Sequence, residues 1–517
     1  MKLAFSSQIK EIDSFAINSL GIPAEVLMGR SGMAVTGAIK SICHIGGNVL
    51  ILAGKGNNGG DGYAAACNLL SEYNVVVIDV FSAGQKSEEG KYYLKKFASM
   101  GGLAVPYNGQ PLDCEIRKAD VIVDAIFGTG FTGAPPKLLS SLIDEVNFSK
   151  SKKVAVDVPL GVNADDGSVH EKVINADITV ALSYLKPGLL SYPAKDYCGK
   201  VILDTIGMPC NLVEEKIQFC NYLFDDDEAV IALPERKKNS SKGSFGKTML
   251  ITGSKTYPGA GILTLEAALR GGAGYVTQVS DSTEISDYIS RFPEALFARD
   301  YINNGNFDIN GIINVSSKNN SVLIGSGLVE TEHLAELTEA LIKAEGSPLI
   351  IDASAINALA KYKGSEVLKF SKRKIILTPH PLEFSRLTNV PVDVIQKNRI
   401  NLAKSFAAEY GVILVLKGAA TIITDGERLY INSTGSSALA KAGSGDVLAG
   451  LLASILAYHN DPIIASALAV YLHGKAGDSL SEQLSNFGVT PSDLPIEIAK
   501  EMRKLEIEKR RIINELS

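Results

Sequence analysis

Residues 434–450, TGSSALAKAGSGDVLAG, constrain the chain more than any other stretch. Small residues lead up to Gly443-Ser444-Gly445-Asp446, and a run that is apolar but for Ser454 follows at once over 447–457. The run stops at His459-Asn460-Asp461, too short to span a bilayer, so it predicts a helix buried in a protein core. Glycines allow a ligand close to the backbone. The free N–H groups and positive dipole end of the helix hold an anion there. Asp446 falls in that first turn, where a carboxylate can take a proton from an attacking hydroxyl while the helix end stabilises a phosphoryl charge. Aspartate is also a preferred helix cap, and this stretch alone leaves both roles open.

A buried helix of this kind needs layers around it, and the 517 residues supply them twice. In the first half, strand-like runs over 48–53, 74–81, 120–127, 152–158, 177–183 and 200–204 alternate with helical patterns such as 62–71 and 88–100. Two helices near 7–20 and 31–44 precede them. In the second half, strands are expected at 247–252, 275–279, 321–324, 348–352, 374–378, 412–416, 421–424 and 429–431. Helices are expected at 260–270, 332–343, 394–409, 446–457 and 463–481, with a last surface helix over 496–515. This rhythm predicts an α/β protein of two domains, the first a doubly wound parallel sheet. The charged stretch around Asp225-Asp226-Asp227-Glu228 reads as a connector, giving domains over 1–215 and 225–505.

Other motifs of the second half gather at strand ends, where α/β sites form. They are Pro258-Gly259-Ala260-Gly261, Gly325-Ser326-Gly327, Thr378-Pro379-His380-Pro381 and the turn Lys417-Gly418-Ala419-Ala420-Thr421. Taken singly, each also reads as an ordinary turn or a structural histidine. Together, GSFGKTMLITGS, PGAGILTLEAALRGGAGYV, IGSGL, IIDASAINAL, TPHPLEFSRL, LVLKGAATIITDG and LAKAGSGDVLAG resemble the ADP-dependent NAD(P)H-hydrate dehydratase family over roughly 225–490. The resemblance implies a ribokinase-like fold that uses ADP, with Mg2+, to phosphorylate the ring hydroxyl of hydrated NADH or NADPH. Phosphate is then eliminated, leaving NAD(P)H, AMP and phosphate. It implies that Asp446 is the acid–base residue and contacts the hydrate, and that Ala260, Gly327 and His380 line the hydrate pocket. It further implies that Gly445 with Lys417, Gly418, Ala419, Ala420 and Thr421 binds the nucleotide. The family often has glycine where Ala355 and Leu382 stand here.

In the first half, Gly54-Lys55-Gly56-Asn57-Asn58-Gly59 follows a strand and precedes a helix, with Asp79 twenty residues on. That satisfies a dinucleotide fingerprint. However, Asn57, Asn58, Gly60 and Asp61 add amides and a carboxylate that a pyrophosphate turn does not need, and a carboxylate would repel the pyrophosphate. The stretches DAIFGTGFTG over 124–133 and DVPLGVN over 157–163 end two further strands, so three loops converge on one crevice. Oxygens of Asn58 and Asp124 can ligate a hard cation. LAGKGNNGGDGYAAA, VDAIFGTGFTG, VAVDVPLGVNADDG and LKPGLLSYPAKDYCG together resemble the NAD(P)H-hydrate epimerase domain over about 8–210. The resemblance implies a Rossmann-like domain that interconverts the R and S hydrates. It implies hydrate contacts at Asn57, Asn58, Gly59, Gly60, Asp61, Gly128, Thr129, Gly130, Phe131, Thr132, Gly133, Ala134 and Asp157, and a K+ ion held by Asn58, Asp124 and the position of Leu160. Asp157 is the candidate acid–base residue. The family usually has serine where Leu160 stands, so a carbonyl ligand survives the change and a hydroxyl ligand does not. LMGRSG over 27–32 replaces the family's common LMENAG and reads as a helix surface or oligomer contact.

The chain is thus expected to be a bifunctional lyase and isomerase whose first half feeds its second. The rival enzyme reading is a ribokinase-like ATP-dependent kinase of a small alcohol, joined to a nucleotide-binding but non-catalytic first half. An NAD-dependent oxidoreductase comes third, and a scaffold-like binding module remains for the first half. The net charge of −6 and pI near 5.7 argue against a nucleic-acid partner. MKLAFSSQIK carries no leader signature, and six cysteines without a CxxC fit reduced, buried thiols in the cytoplasm. Partners are therefore expected to be the small-molecule substrates, with no membrane and, by resemblance, assembly into a homo-oligomer.

Overall fold

The computed structural model describes residues 1–516 except 82–85, 132, 282 and 304. The chain divides into two compact units, Lys2–Asn221 and Tyr222–Ser517, with Met1 grouped in the second.

In Lys2–Asn221, seven strands form a wholly parallel sheet. Its order is Leu103–Pro106, Asn74–Asp79, Asn48–Ala53, Val121–Ala125, Lys152–Val156, Ile178–Leu182 and Lys200–Asp204. The central strands are apolar and buried along nearly their whole length, because helices cover both faces. The strand order reverses between Asn48–Ala53 and Val121–Ala125, which opens a crevice at their carboxyl ends. Backbones meet there closely: the Gly54 N–H donates to the Ala125 carbonyl at 3.0 Å, and a Cβ on Gly54 would lie 1.9 Å from the Ile126 oxygen.

In Tyr222–Ser517, the sheet runs Asn221–Phe224, Leu429–Asn432, Ile422–Thr424, Ile413–Leu416, Ile375–Leu377, Leu349–Ile351, Ser321–Ile324, Lys247–Ile251, Tyr275–Val279 and Leu296–Ala298. Pairing is parallel from Ile413–Leu416 to Leu296–Ala298. It is antiparallel where Ile413–Leu416, Ile422–Thr424 and Leu429–Asn432 meet as hairpins. The helix Ser444–Leu456 is apolar nearly all round and buried, as its composition predicts. It lies backbone to backbone against the helix Pro258–Arg270. A Cβ on Gly450 would sit 2.1 Å from the Thr264 carbonyl oxygen.

Several expectations need correction. The last helix, Leu494–Leu516, is more than a surface element: Leu494, Ile498 and Leu505 join the core. The helix expected over 394–409 breaks at Asn398 into Val392–Lys397 and Arg399–Tyr410. The second helix begins at Ala24, so 27–32 is helical, and Leu27, Met28, Ser31 and Gly32 are buried rather than a surface. All six cysteines are free, with Cys43, Cys67 and Cys198 buried but Cys114 exposed. Among the described residues no helix is long and apolar enough to cross a membrane.

Candidate active sites

The site of Tyr222–Ser517 assembles at strand ends. Asp352 follows Leu349–Ile351 and is 2 % exposed. Its carboxylate accepts from the Ser326 hydroxyl at 2.8 Å, from the Thr378 hydroxyl at 2.7 Å and from Lys417 Nζ at 3.1 Å. Two neighbouring strand-end loops are thereby tied to the hairpin turn 417–421. The Lys417 N–H also donates to the Pro379 carbonyl at 2.9 Å. Buried Arg399 holds the turn from behind, donating to the Leu416 and Lys417 carbonyls. Glu383, on the helix Pro381–Thr388, reaches Lys417 at 3.9 Å. Burial opposes the charge on Lys417, but Asp352 and Glu383 outweigh it and hold the ammonium above its ordinary range.

Asp446 stands opposite this cation. The helix Ser444–Leu456 is capped by Gly443 in a left-handed conformation, with no side-chain cap bond. Capping therefore does not account for Asp446, which lies within the first turn with its carboxylate uncommitted among the described residues. Burial, then the charge of Asp352, raises it to about 7 against the pull of Lys417. Gly445 lies beside Lys417; a Cβ there would come 3.6 Å from Nζ.

The other expected residues fall around this centre. Gly327 packs on Ala260, and a Cβ on Gly327 would lie 2.5 Å from that of Ala260. His380 caps Pro381–Thr388: its Nδ1 accepts from the Leu382 and Glu383 N–H groups at 3.2 Å. The imidazole is thus both structural and at the site, and burial followed by Lys417 keeps its pKa low. Leu382 is exposed, so the family's glycine is not needed for space. Gly418 and Ala419 are exposed on the turn; Ala420 is left-handed, and the Thr421 hydroxyl closes the turn on the Gly418 carbonyl at 2.9 Å. Sequence reasoning missed the roles of Asp352 and Glu383. The signal for the first was an acid at the end of an all-apolar strand.

In Lys2–Asn221 the crevice is a cleft of about 520 Å³. Asn57, Asn58, Asp61, Gly128, Thr129, Gly130, Phe131 and Asp157 line it. Gly59 and Gly60 are buried in the first turn of Asn57–Leu69 behind it, whereas Gly133 and Ala134 are exposed. Thr132 lies outside the described residues. Asp157 has φ of +67°, an unfavourable conformation for a side-chain-bearing residue that points to a held site. Its Oδ1 meets Lys186 Nζ at 2.5 Å and its Oδ2 accepts the Thr129 N–H at 3.0 Å. Burial would raise this carboxyl, but Lys186 and the backbone donors outweigh it and hold it low. Lys186 is fully buried and also donates to the Leu182 carbonyl at 2.7 Å. Sequence reasoning missed it, although a lysine in ALSYLKPGLL cannot be buried without an anion. A Cβ on Gly128 would lie 2.9 Å from Asp157 Oδ2 and 3.1 Å from Asn58 Oδ1. Phe127 and Phe131 stack in the wall, with centroids 4.0 Å apart.

Asp124, 2 % exposed, accepts from the Ile126 and Leu160 N–H groups, and burial raises it to about 6. The Leu160 side chain packs in the apolar cluster with Leu50, Leu52 and Ile122, so only its main chain can act as a ligand; its carbonyl already accepts the Ile174 N–H at 2.9 Å.

Fold and geometry together define a two-unit α/β protein, with a buried helix start near Lys417, Asp352 and Glu383 in one unit and a cleft holding the Asp157–Lys186 pair in the other. Comparison with known proteins narrows this class. Residues 248–500 match the family described as NAD(P)H-hydrate dehydratase, and residues 24–188 match YjeF-related protein N-terminus. A bifunctional NAD(P)H-hydrate repair enzyme from Moorella thermoacetica is 33% identical, over 99% of both chains. One from Escherichia coli is 32% identical, over 95% of this chain and 92% of its own. The crystal structure of an ADP/ATP-dependent NAD(P)H-hydrate dehydratase from Bacillus subtilis, co-crystallised with ATP/Mg2+, is 31% identical with a TM-score of 0.50. It covers 55% of this chain and 98% of its own. The chain belongs to the bifunctional NAD(P)H-hydrate repair enzymes.

Proposed function

We propose that the protein restores hydrated NADH and NADPH: residues 1–215 interconvert the R and S hydrates, and residues 225–505 dehydrate the S form at the expense of ADP, releasing AMP and phosphate. The observation that carries the reading is the uncommitted Asp446 carboxyl, raised to about 7 at a helix N-terminus beside Lys417. A base with a pKa near neutrality accepts a proton most usefully at working pH. Asp446 takes the proton from the hydrate's ring hydroxyl as that oxygen attacks the terminal phosphorus of ADP. The Gly445 backbone, the turn 417–421 and the Lys417 ammonium bind and orient the nucleotide and stabilise the moving charge. Ala260, Gly327 and His380 line the wall against which the ring rests. Elimination of phosphate then returns the double bond to the ring.

Carboxylate oxygens suit Mg2+, and Asp352 and Glu383 are the buried acids that would hold it. Bound there, the ion would offset phosphate charge. In the first half, the Asn58 amide oxygen, the Asp124 carboxylate and the Leu160 carbonyl suit a potassium ion. Buried Asp124 forms no ion pair among the described residues, and a bound monovalent cation would offset its charge. Asp157 is the acid–base residue of that cleft.

Incubating the protein with hydrated NADH and either ADP or ATP, with the nucleotide products separated, tests the reading. AMP formed in step with recovered NADH is the expected result. A stable phosphorylated product formed from ATP, with no NADH recovered, would establish the kinase reading instead.

A further inference from the structure

The cleft of Lys2–Asn221 contains more acid–base groups than Asp157. Four carboxyls line it: Asp13 from Ser6–Asn18, Asp61 from Asn57–Leu69, Glu89 from Glu88–Ser99, and Asp157 at the end of Lys152–Val156. Among the described residues only Asp157 forms an ion pair, with Lys186. Asp61 is 8 % exposed and forms no ion pair among the described residues, and the Ser31 hydroxyl, which also lines the cleft, donates to the Leu27 carbonyl. Burial first, then the charge of Asp157, keeps the Asp61 carboxyl well above the ordinary range. The cleft therefore presents a carboxylate paired with Lys186 and a buried carboxyl with no cation of its own among the described residues, an asymmetry of the kind by which two acids in one site become an acid and a base.

We propose that Asp61 is the acid partner of Asp157, and that the two hydrates interconvert by loss of water from one face of the ring and its return to the other. This rests on the epimerase reading above. The hydrate carries its hydroxyl on the ring carbon bonded to the ring nitrogen. Asp61 gives its proton to the hydroxyl oxygen. The C–O bond breaks with its electron pair going to oxygen, water departs, and the nitrogen lone pair forms a C=N double bond in a cationic ring. A water on the opposite face then attacks the same carbon. Its oxygen pair makes the new C–O bond, the C=N pair returns to nitrogen, and Asp157 accepts the released proton. Each inversion moves one proton from Asp61 to Asp157 and exchanges one oxygen with solvent; the reverse reaction, or exchange with water in the cleft, restores the starting state. The stacked Phe127 and Phe131 rings in the wall suit a flat cation. No ring C–H bond breaks.

The full-length protein, given the R hydrate of NADH without nucleotide in 18O-water and separately in D2O, distinguishes the routes by mass analysis of the separated isomers. The expected result, above the enzyme-free rate, is one 18O for each inverted molecule and no deuterium on the ring carbon. Asp61→Asn is expected to slow inversion by about a hundredfold or more with KM little changed, and Asp61→Glu to recover part of the rate. Inverted product that keeps its original oxygen, or that gains deuterium on carbon, overturns the proposal. So does an Asp61→Asn variant as fast as the parent. Absence of any inversion by the parent protein overturns the epimerase reading itself.

Discussion

Asp446 owes its chemistry to residues far from it in the chain. Its place at a helix start is legible in GSGD, but its acidity is set by burial and by Asp352, Lys417 and Glu383, which arrive on other loops. A sequence motif gives no measure of such coupling, nor of which residue caps the helix; in the structure Gly443 fills the cap position. Lys186 makes the same point: its partner Asp157 lies 29 positions away, with no motif spanning both. The raised Asp446 has a consequence for stability. The folded state keeps this proton up to about pH 7, whereas the unfolded chain loses it near 3.8. The folded state therefore binds more protons across that window, and stability drains as pH rises through it. Asp446→Asn removes the penalty. We expect the variant to match the parent near pH 4 and to exceed it by on the order of 2 kcal/mol at pH 8, read from denaturant unfolding. Equal stabilities at pH 8 would show that the carboxyl ionises freely in the folded protein.

Elements were the most legible level. The strands found at Asn48–Ala53, Tyr275–Val279, Ser321–Ile324 and Lys200–Asp204 coincide with apolar runs bounded by turn residues. Weak or short elements were not legible. The edge strand Leu103–Pro106 and the helix Ser140–Phe148 lie in stretches whose patterns are too brief to register. The segment 27–32 reads in sequence as a helix surface or oligomer contact, yet Leu27, Met28, Ser31 and Gly32 are buried, and Gly32 is small to let Asn57–Leu69 approach: a Cβ there would lie 2.6 Å from that of Ala64. Close approach also governs the helix Ser444–Leu456. Gly450→Ala would push a methyl group into the Thr264 carbonyl, where only backbone can yield. Overpacking of this kind costs about 1–3 kcal/mol. We predict a lowered melting temperature for Gly450→Ala and reduced recovery of NADH, because Gly445 and Asp446 sit on the same helix. A melting temperature equal to the parent's would mean that the two helices part without cost.

At the scale of the molecule, the alternation of strands and helices was enough to indicate an α/β protein, and the two sets of motifs indicated two sites. The sheet order was not legible, because parallel pairing depends on crossovers that leave no local mark. The residues proposed above as acid–base centres, Asp157 and Asp446, fall in different units. We therefore expect the two activities to fail separately. Asp157→Asn should abolish R-to-S inversion while dehydration of the S hydrate continues, and Asp446→Asn should do the reverse; loss of both activities in either variant would refute the assignment of one centre to each unit. The measurement that bears most directly on the account is recovery of NADH absorbance from its S hydrate with ADP, comparing the parent with Asp446→Asn. The account predicts a fall of roughly a hundredfold or more, with ADP bound nearly as tightly as before. Full recovery by the variant would contradict it.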